Sequence, residues 1–326
     1  MPHRKFKKIG LLTSGGDAPG MNAAIRAIVR TAINNNVHVM GIKRGYEGLL
    51  MGDIKELQSE SVSDIIHRGG TMLKTARCPE MMTQEGKEKA AKICEILNLD
   101  ALFVIGGNGS IAGARELSKL GVNTICIPGT IDLDLDCSEY TIGFDTAVNT
   151  GMEAINKLKD TSSSHQRVSI IEVMGRHKGL IAAWCAVVGG AEEVMLPEDE
   201  DTADSNNVIE EILKNRSSGK NHNMIVVAEG VGNSAKLAED IESATGISTR
   251  ATILGHLQRG GNPTALDRMW ASIMGTYAVE RYLDGDKNQV VVVKDGKMAH
   301  LDIDEALEYK RPYDKTLYNI VKTLAL

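Results

Sequence analysis

Aromatic residues are scarce in this 326-residue chain, at 4% of its composition. That shortage argues against a β-sandwich, and the 33 glycines suit an α/β sheet with many tight strand–helix turns. Positive charge is also in deficit, with a formal net charge of −6. A general nucleic-acid binder needs an excess of cations to neutralise phosphates, so no nucleic-acid partner is expected. Phosphorylated small molecules stay open, because a local basic cluster overrides the global sign. No CxxC pair occurs among Cys78, Cys94, Cys126, Cys137 and Cys185. Reduced thiols in a cytoplasmic protein are therefore expected, rather than a zinc site or a disulfide framework. No apolar run approaches a membrane span, and Ile9-Gly10-Leu11-Leu12 is too short for a signal peptide. No low-complexity linker separates domains.

What is present is an alternation. Hydrophobic residues make up 42% of the chain, enough for a real core, and the length suits two domains at about 100–200 residues each. Strand-like runs are Ile9–Thr13, Val37–Ile42, Ala101–Ile105, Thr124–Ile127, Val168–Val173, Glu193–Leu196, Met224–Ala228, Ala251–Leu254 and Val290–Val293. Amphipathic stretches between them are Met21–Asn34, Glu85–Leu97, Ser110–Lys119, Asp145–Lys159, Lys178–Val188, Ser205–Lys214, Lys236–Ala244 and Ala265–Leu283. Such alternation predicts mainly parallel sheets covered by helices, in two domains that the chain crosses more than once.

Loops after strands carry the chemistry in this class of fold. Thr13-Ser14-Gly15-Gly16-Asp17 and Ile105-Gly106-Gly107-Asn108-Gly109-Ser110 each join a strand to a helix. Glycines let backbone N–H groups approach a phosphate, and the helix N-terminus favours an anion. Neither loop is a P-loop, and no GxGxxG fingerprint is present. A third loop, Pro128-Gly129-Thr130-Ile131-Asp132-Leu133-Asp134, offers two acids for a general base or a metal, with a leucine between them. Arg167, Arg176, Arg250, His256 and Arg259 stand near strand ends or glycine turns, where guanidinium forks suit a phosphate monoester. Glu229, at a strand end, is placed to accept from sugar hydroxyls or simply to face water.

Six motifs then occur in a recognisable order: TSGGDAPGMNAAIR (13–26), IGGNGS (105–110), PGTIDLD (128–134), DTSSSHQR (160–167), EVMGR (172–176) and GHLQRGG (255–261). The chain resembles the bacterial ATP-dependent 6-phosphofructokinase family from about residue 8 onward. The resemblance implies the phosphofructokinase fold, two Rossmann-like three-layer α/β domains with a cleft between them, usually in a homotetramer. It implies a large ATP-binding domain at 1–143 plus 258–308, and a small fructose 6-phosphate-binding domain at 144–257 plus 309–326. Asp132 matches the general base for the sugar 1-hydroxyl, with Thr130 and Arg176 beside it. Substrate-contact positions match Thr130, Ile131, Asp132, Met174, Gly175, Arg176, Glu229, His256, Leu257, Gln258 and Arg259. Arg167 and Arg250 match arginines delivered by a neighbouring subunit. Gly16, Arg77, Cys78, Gly107, Asn108, Gly109 and Ser110 match the ATP site. Gly109 and Gly129 match the ATP-using branch, since the pyrophosphate-using branch usually has larger residues there.

Two positions depart from the family pattern. Asn108 replaces an acid associated with Mg²⁺, and Leu133 replaces an asparagine, which leaves Asp134 as the expected metal anchor. A catalytically impaired paralogue that binds sugar phosphates or regulates a partner therefore stays open, as does a kinase for another sugar phosphate. The resemblance also implies effector contacts for ADP or phosphoenolpyruvate at Arg26, Arg30, Lys159, Glu192, Lys220 and His222. Ser59 and Ser218 stand where basic residues are common, so weakened regulation is expected.

Overall fold

The computed structural model describes residues 7–220 and 222–325. It divides into two compact units. Unit 1 takes the chain up to Ile131, then Leu135–Asp145 and Arg259–Arg311; unit 2 takes Asp132–Asp134, Thr146–Gln258 and the chain from Pro312.

Unit 1 begins with the strand–helix series β1 (Lys7–Thr13), α1 (Met21–Asn34), β2 (Val37–Ile42), α2 (Gly45–Met51) and β3 (Ile54–Leu57). It continues with α3 (Gln84–Ile96), β4 (Ala101–Gly106), α4 (Asn108–Lys119) and β5 (Thr124–Pro128). The long helix α5 (Phe144–His165) carries the chain into unit 2 after Asp145. There follow β6 (Val168–Val173), α6 (Leu180–Gly189), β7 (Glu193–Met195), α7 (Glu200–Ala203), α8 (Ser205–Ser217), β8 (Asn223–Ala228), α9 (Ser234–Thr245) and β9 (Thr249–Ile253). The chain returns to unit 1 for α10 (Ala265–Asp284), β10 (Gln289–Lys294), β11 (Lys297–Asp302) and α11 (Ile303–Glu308), and α12 (Thr316–Leu324) falls in unit 2.

The unit 1 sheet has the order β11-β10-β5-β4-β1-β2-β3, parallel except for its two outermost pairs. Strands β4 and β5 are buried at every residue, which is what coverage of both faces requires. Helix α1 packs on α10, and Gly275 lets the two backbones close: a Cβ there would sit 2.9 Å from the Ala24 carbonyl. From β1 the chain moves to β2 on one side, and from β4 to β5 on the other. The switch point between β1 and β4 is where an open α/β sheet leaves a crevice. Unit 2 holds a four-stranded parallel sheet, β7-β8-β6-β9.

The α/β class and the parallel sheets match the sequence expectation. Several elements differ from it. Edge strand β3 reads Ile-Lys-Glu-Leu and is only partly buried, so no apolar run marks it. Strand β11 pairs with β10 through Asp295-Gly296, both at positive φ (51° and 68°), as a two-residue hairpin turn needs. Helix α5 runs on through the Asp160–His165 stretch, where Ser164 Oγ donates back to the Asp160 carbonyl at 2.9 Å.

Helices α3 and α4 are tied by a small ionic network. Glu116 lies 2.9 Å from Lys87 and 2.8 Å from Lys119, and these two ammonium donors hold its carboxyl down to about 2. A carboxylate depressed in the fold stabilises above its unfolded pKa, and that contribution is lost as pH falls through the folded value. Glu116→Gln should therefore flatten the acid limb of stability between about pH 4.5 and 2. Urea midpoints measured across that window check this; parallel curves for the two proteins would refute it.

Candidate active site

In unit 1 three strand-end loops meet. A Cβ on Gly106 would lie 2.6 Å from both Ser110 Cβ and the Ser14 carbonyl, and one on Gly15 would lie 3.2 Å from Ser110 Oγ. Ser14 N–H donates to the Ile105 carbonyl at 3.0 Å, and Gly129 N–H to the Gly106 carbonyl at 3.0 Å. The loops after β1, β4 and β5 thus form one glycine-lined surface. Gly107 sits against Thr130, whose carbonyl accepts from Thr141 Oγ1 at 2.7 Å. Arg259 reaches the same surface: a Cβ on Gly16 would lie 2.0 Å from its Nη1. Helix α4 starts at Asn108 with no side-chain cap, so its positive end faces the loops. The sequence pattern therefore brings Gly16, Gly107, Asn108, Gly109, Ser110, Thr130 and Arg259 together. Arg77 is exposed and Cys78 half-buried, three and four residues after Lys74, whose carbonyl accepts from Thr13 Oγ1 at 3.0 Å.

Gly109 and Gly129 are glycine for different reasons. A Cβ on Gly109 would meet nothing within 4 Å, so the chain itself leaves that space open. A Cβ on Gly129 would lie 3.0 Å from Ile105 Cγ2 and 3.1 Å from Met21 Cε, so packing inside unit 1 also asks for glycine there.

Unit 2 gathers the acids and the second guanidinium. Asp132 is 3% exposed, and Asp134 lies 3.6 Å from Arg176 Nη1. After β6 the chain turns through Gly175 (φ 143°) and Arg176 (φ 54°). Glu229 holds that turn, its Oε1 accepting from Arg176 N–H at 2.7 Å and Gly175 N–H at 3.3 Å. Gln258 braces the residue before: its Oε1 accepts from Met174 N–H at 2.7 Å and its Nε2 donates to the Ala147 carbonyl at 3.0 Å. His256 and Leu257 are exposed beside it.

Several expected contacts need correcting. Gln258 is fully buried with both ends of its amide engaged, so it shapes the site rather than touching a ligand. The Ile131 side chain is also fully buried, against Gly143, which leaves only its backbone for a substrate. The Met174 side chain is buried too. Arg167 precedes β6 and Arg250 pairs in register with Ser169, at the opposite end of the sheet from Met174 and Glu229. Five residues of strand, roughly 16 Å, separate Ser169 from Met174. Arg250, in β9, is paired instead with Glu242 of the preceding helix α9, at 3.1 Å. Within this chain the two arginines do not join Arg176.

Leu133 adopts φ 50° and is 6% exposed. A left-handed conformation costs a non-glycine residue about 1–2 kcal/mol, least for Asn and Asp. Burying a leucine side chain returns about 1.5–3 kcal/mol. Burial thus offsets the strain, and leucine is tolerated at a turn better suited to asparagine.

Among the described residues no group of three His, Cys, Asp or Glu side chains could hold a metal. A Mg²⁺ that arrives on nucleotide phosphates needs only one or two protein carboxylates and keeps its waters. All five cysteines are free, and burial pushes the Cys94 and Cys185 thiols up to about 12, which makes them inert packing groups. No helix among the described residues is long and apolar enough to cross a membrane.

Strand-end loops that combine glycine, buried carboxylate and guanidinium define an α/β enzyme that handles phosphates. Comparison with known proteins gives the family. A family model described as Phosphofructokinase matches residues 8–282, and the chain belongs to that family. It is 56% identical over 320 residues to an ATP-dependent 6-phosphofructokinase of Clostridium botulinum strain Hall, covering 98% of this chain and 100% of that protein. The corresponding Clostridium acetobutylicum protein matches at the same identity and coverage. Among solved structures, Pichia pastoris phosphofructokinase in the T-state superposes with a TM-score of 0.88 at 32% identity, over 93% of this chain and 36% of that one. A pyrophosphate-dependent phosphofructokinase from Marinobacter aquaeolei, at 21% identity and TM-score 0.84 over 98% of this chain and 91% of that one, shares the fold.

Proposed function

We propose that the chain phosphorylates fructose 6-phosphate to fructose 1,6-bisphosphate with ATP, a step of glycolysis. One observation carries the assignment of roles: the buried Asp132 lies two residues from Asp134, which pairs with the Arg176 guanidinium. In this reading Asp132 takes the proton of the sugar 1-hydroxyl, and that oxygen attacks the γ-phosphorus as its bond to ADP breaks. Phosphoryl transfer depends on alignment and charge neutralisation, and Arg176 supplies a fixed cation for the moving phosphoryl. Mg²⁺, bound with ATP, would supply charge neutralisation at the phosphate oxygens, and Asp134 would hold it; at the family's metal position Asn108 brings no negative charge. The glycine loops and the α4 N-terminus receive the nucleotide phosphates, near Arg77 and Cys78. Glu229, His256 and Arg259 match the family's sugar-phosphate contacts. The large and small domains of this reading correspond to units 1 and 2, except that Asp132–Asp134, expected within the large domain at 1–143, fall in unit 2, and the other boundaries shift by one to three residues.

Arg167 and Arg250 lie away from Met174, Arg176 and Glu229 of their own chain, which supports their delivery to a neighbouring subunit, as in the homotetramer that the family implies. ADP or phosphoenolpyruvate would bind near Lys159, Glu192, Lys220 and His222, with Arg26 and Arg30 on one face of α1. A glycolytic role suits a cytoplasmic location. No observation favours an inert paralogue or another acceptor sugar.

A coupled assay for fructose 1,6-bisphosphate tests the assignment. The natural chain should turn over with ATP and Mg²⁺, and not with pyrophosphate. Asn108→Asp should lower the Mg²⁺ needed for half-maximal rate by about tenfold, near 1.4 kcal/mol of added attraction. An inactive natural chain would overturn the assignment. Gly109→Lys tests the nucleotide side. Its side chain would project into space the protein leaves open, so the fold should stand while KM for ATP rises at least about tenfold. An unchanged KM would move the nucleotide elsewhere.

A further inference from the structure

The α6–β7 turn gathers three of the candidate effector residues. Lys159 Nζ donates to the Gly190 carbonyl, two residues before Glu192. Glu192 is 6% exposed, accepts from Met224 N–H at 2.6 Å and lies 3.3 Å from Lys220 Nζ. Lys220 makes one further contact that the sequence did not suggest. Its Nζ donates to the backbone carbonyl of Ala325, just beyond α12, at 2.8 Å.

Helix α12 is anchored in the same neighbourhood at two further points. Lys315, at its N-cap, lies 2.6 Å from the buried carboxylate of Asp199. Lys322, in its last turn, pairs with the buried Glu193 next to Glu192. The helix is thus locked by ion pairs on unit 2, with the carbonyl that follows it held against the Lys220 ammonium.

We propose that α12 is an internal competitor at the effector site: the Ala325 carbonyl occupies Lys220, and an anionic effector must displace it to bind. This rests on the reading of Lys220 as an effector contact. The Lys220 ammonium is held between the Glu192 carboxylate, 3.3 Å away, and the Ala325 carbonyl, so a phosphate that draws it away competes with that carbonyl. A phosphate that recruits Lys220 exchanges the neutral carbonyl for an anion, so the effector's apparent affinity falls by the fraction of molecules in which the contact is open. The same exchange releases the last turn of α12 beside Glu193. Effector occupancy is thereby coupled to the packing of this helix.

The test is equilibrium binding of ADP and of phosphoenolpyruvate to three variants of the full assembly. Removing residues 325 and 326 should tighten effector binding by roughly two- to tenfold, the worth of one net hydrogen bond. Lys315→Gln, which loosens the other end of the helix, should shift binding in the same direction and guards against misfolding of the shortened chain. Lys220→Ala should weaken binding. If Lys220→Ala weakens binding while neither loosening variant tightens it, the competition is wrong and the effector assignment stands. If Lys220→Ala leaves binding unchanged, the effector assignment falls and the competition falls with it. Amide exchange gives a second readout: ADP should speed exchange in Thr316–Leu324 of the natural chain, and unchanged protection there on saturation would also overturn the proposal.

Discussion

Asp132→Asn should lower kcat by about 10³-fold, within the 10²–10⁴ that a positioned general base contributes, while leaving fructose 6-phosphate affinity within a few-fold. Asparagine keeps the shape of the side chain and an acceptor oxygen, so the loss isolates basicity. The neighbouring residues of the loop have ties of their own. Thr130 is tied through its carbonyl to Thr141, and Asp134 is paired with Arg176. A collapse of the fold is therefore not expected, and the unfolding midpoint should stay close to that of the natural protein. Steady-state rates and direct substrate binding, measured on the same preparation, separate the two quantities. A kcat within a factor of a few of the natural value would remove Asp132 as the base.

The site was legible in the sequence to different depths in its different parts. Strand-end loops announce themselves through local composition, because glycine, carboxylate and hydroxyl crowd between an apolar run and an amphipathic one. Thus 13–17, 105–110 and 128–134 were readable, and they converge in unit 1 or lead into unit 2 as the topology of a doubly wound sheet requires. What side chains do to one another was not readable. Gln258 was expected as a ligand contact because it matches a substrate-contact position of the family the chain resembles. Its partners, Met174 and Ala147, are 84 and 111 residues away in sequence, so no local pattern marks it as a brace. Leu133 looked like the loss of a polar group. The turn it occupies, at positive φ, adds that the same asparagine would also have suited the backbone. Among the missed elements, β3 is too short and too exposed to carry periodicity, whereas the Asp295-Gly296 hairpin left a signal that a search for buried parallel strands passes over.

The second large effect should come from Glu229. Its carboxylate was expected to meet sugar hydroxyls, yet its Oε1 accepts the N–H groups of Gly175 and Arg176. Those bonds hold Arg176 at φ 54°, a left-handed conformation that costs an arginine about 1–2 kcal/mol. Glu229→Ala leaves both N–H groups without this partner and lets the turn relax toward negative φ. The guanidinium then leaves its place beside Asp134, and a displacement of about 1 Å near a transferring phosphoryl costs on the order of 10²-fold in rate. Glu229→Gln keeps an acceptor oxygen at the same reach, so the turn survives and only charge is lost. The expected pattern is a kcat lower by about 10²-fold for alanine and by only a few-fold for glutamine, since amide oxygens still accept these bonds. A residue that acted solely by touching the sugar would behave differently. Both variants would then raise KM for fructose 6-phosphate together, with kcat little changed. Equal loss of kcat in the two variants would instead mean that the negative charge matters and the backbone bonds do not, and the positioning role would be discarded.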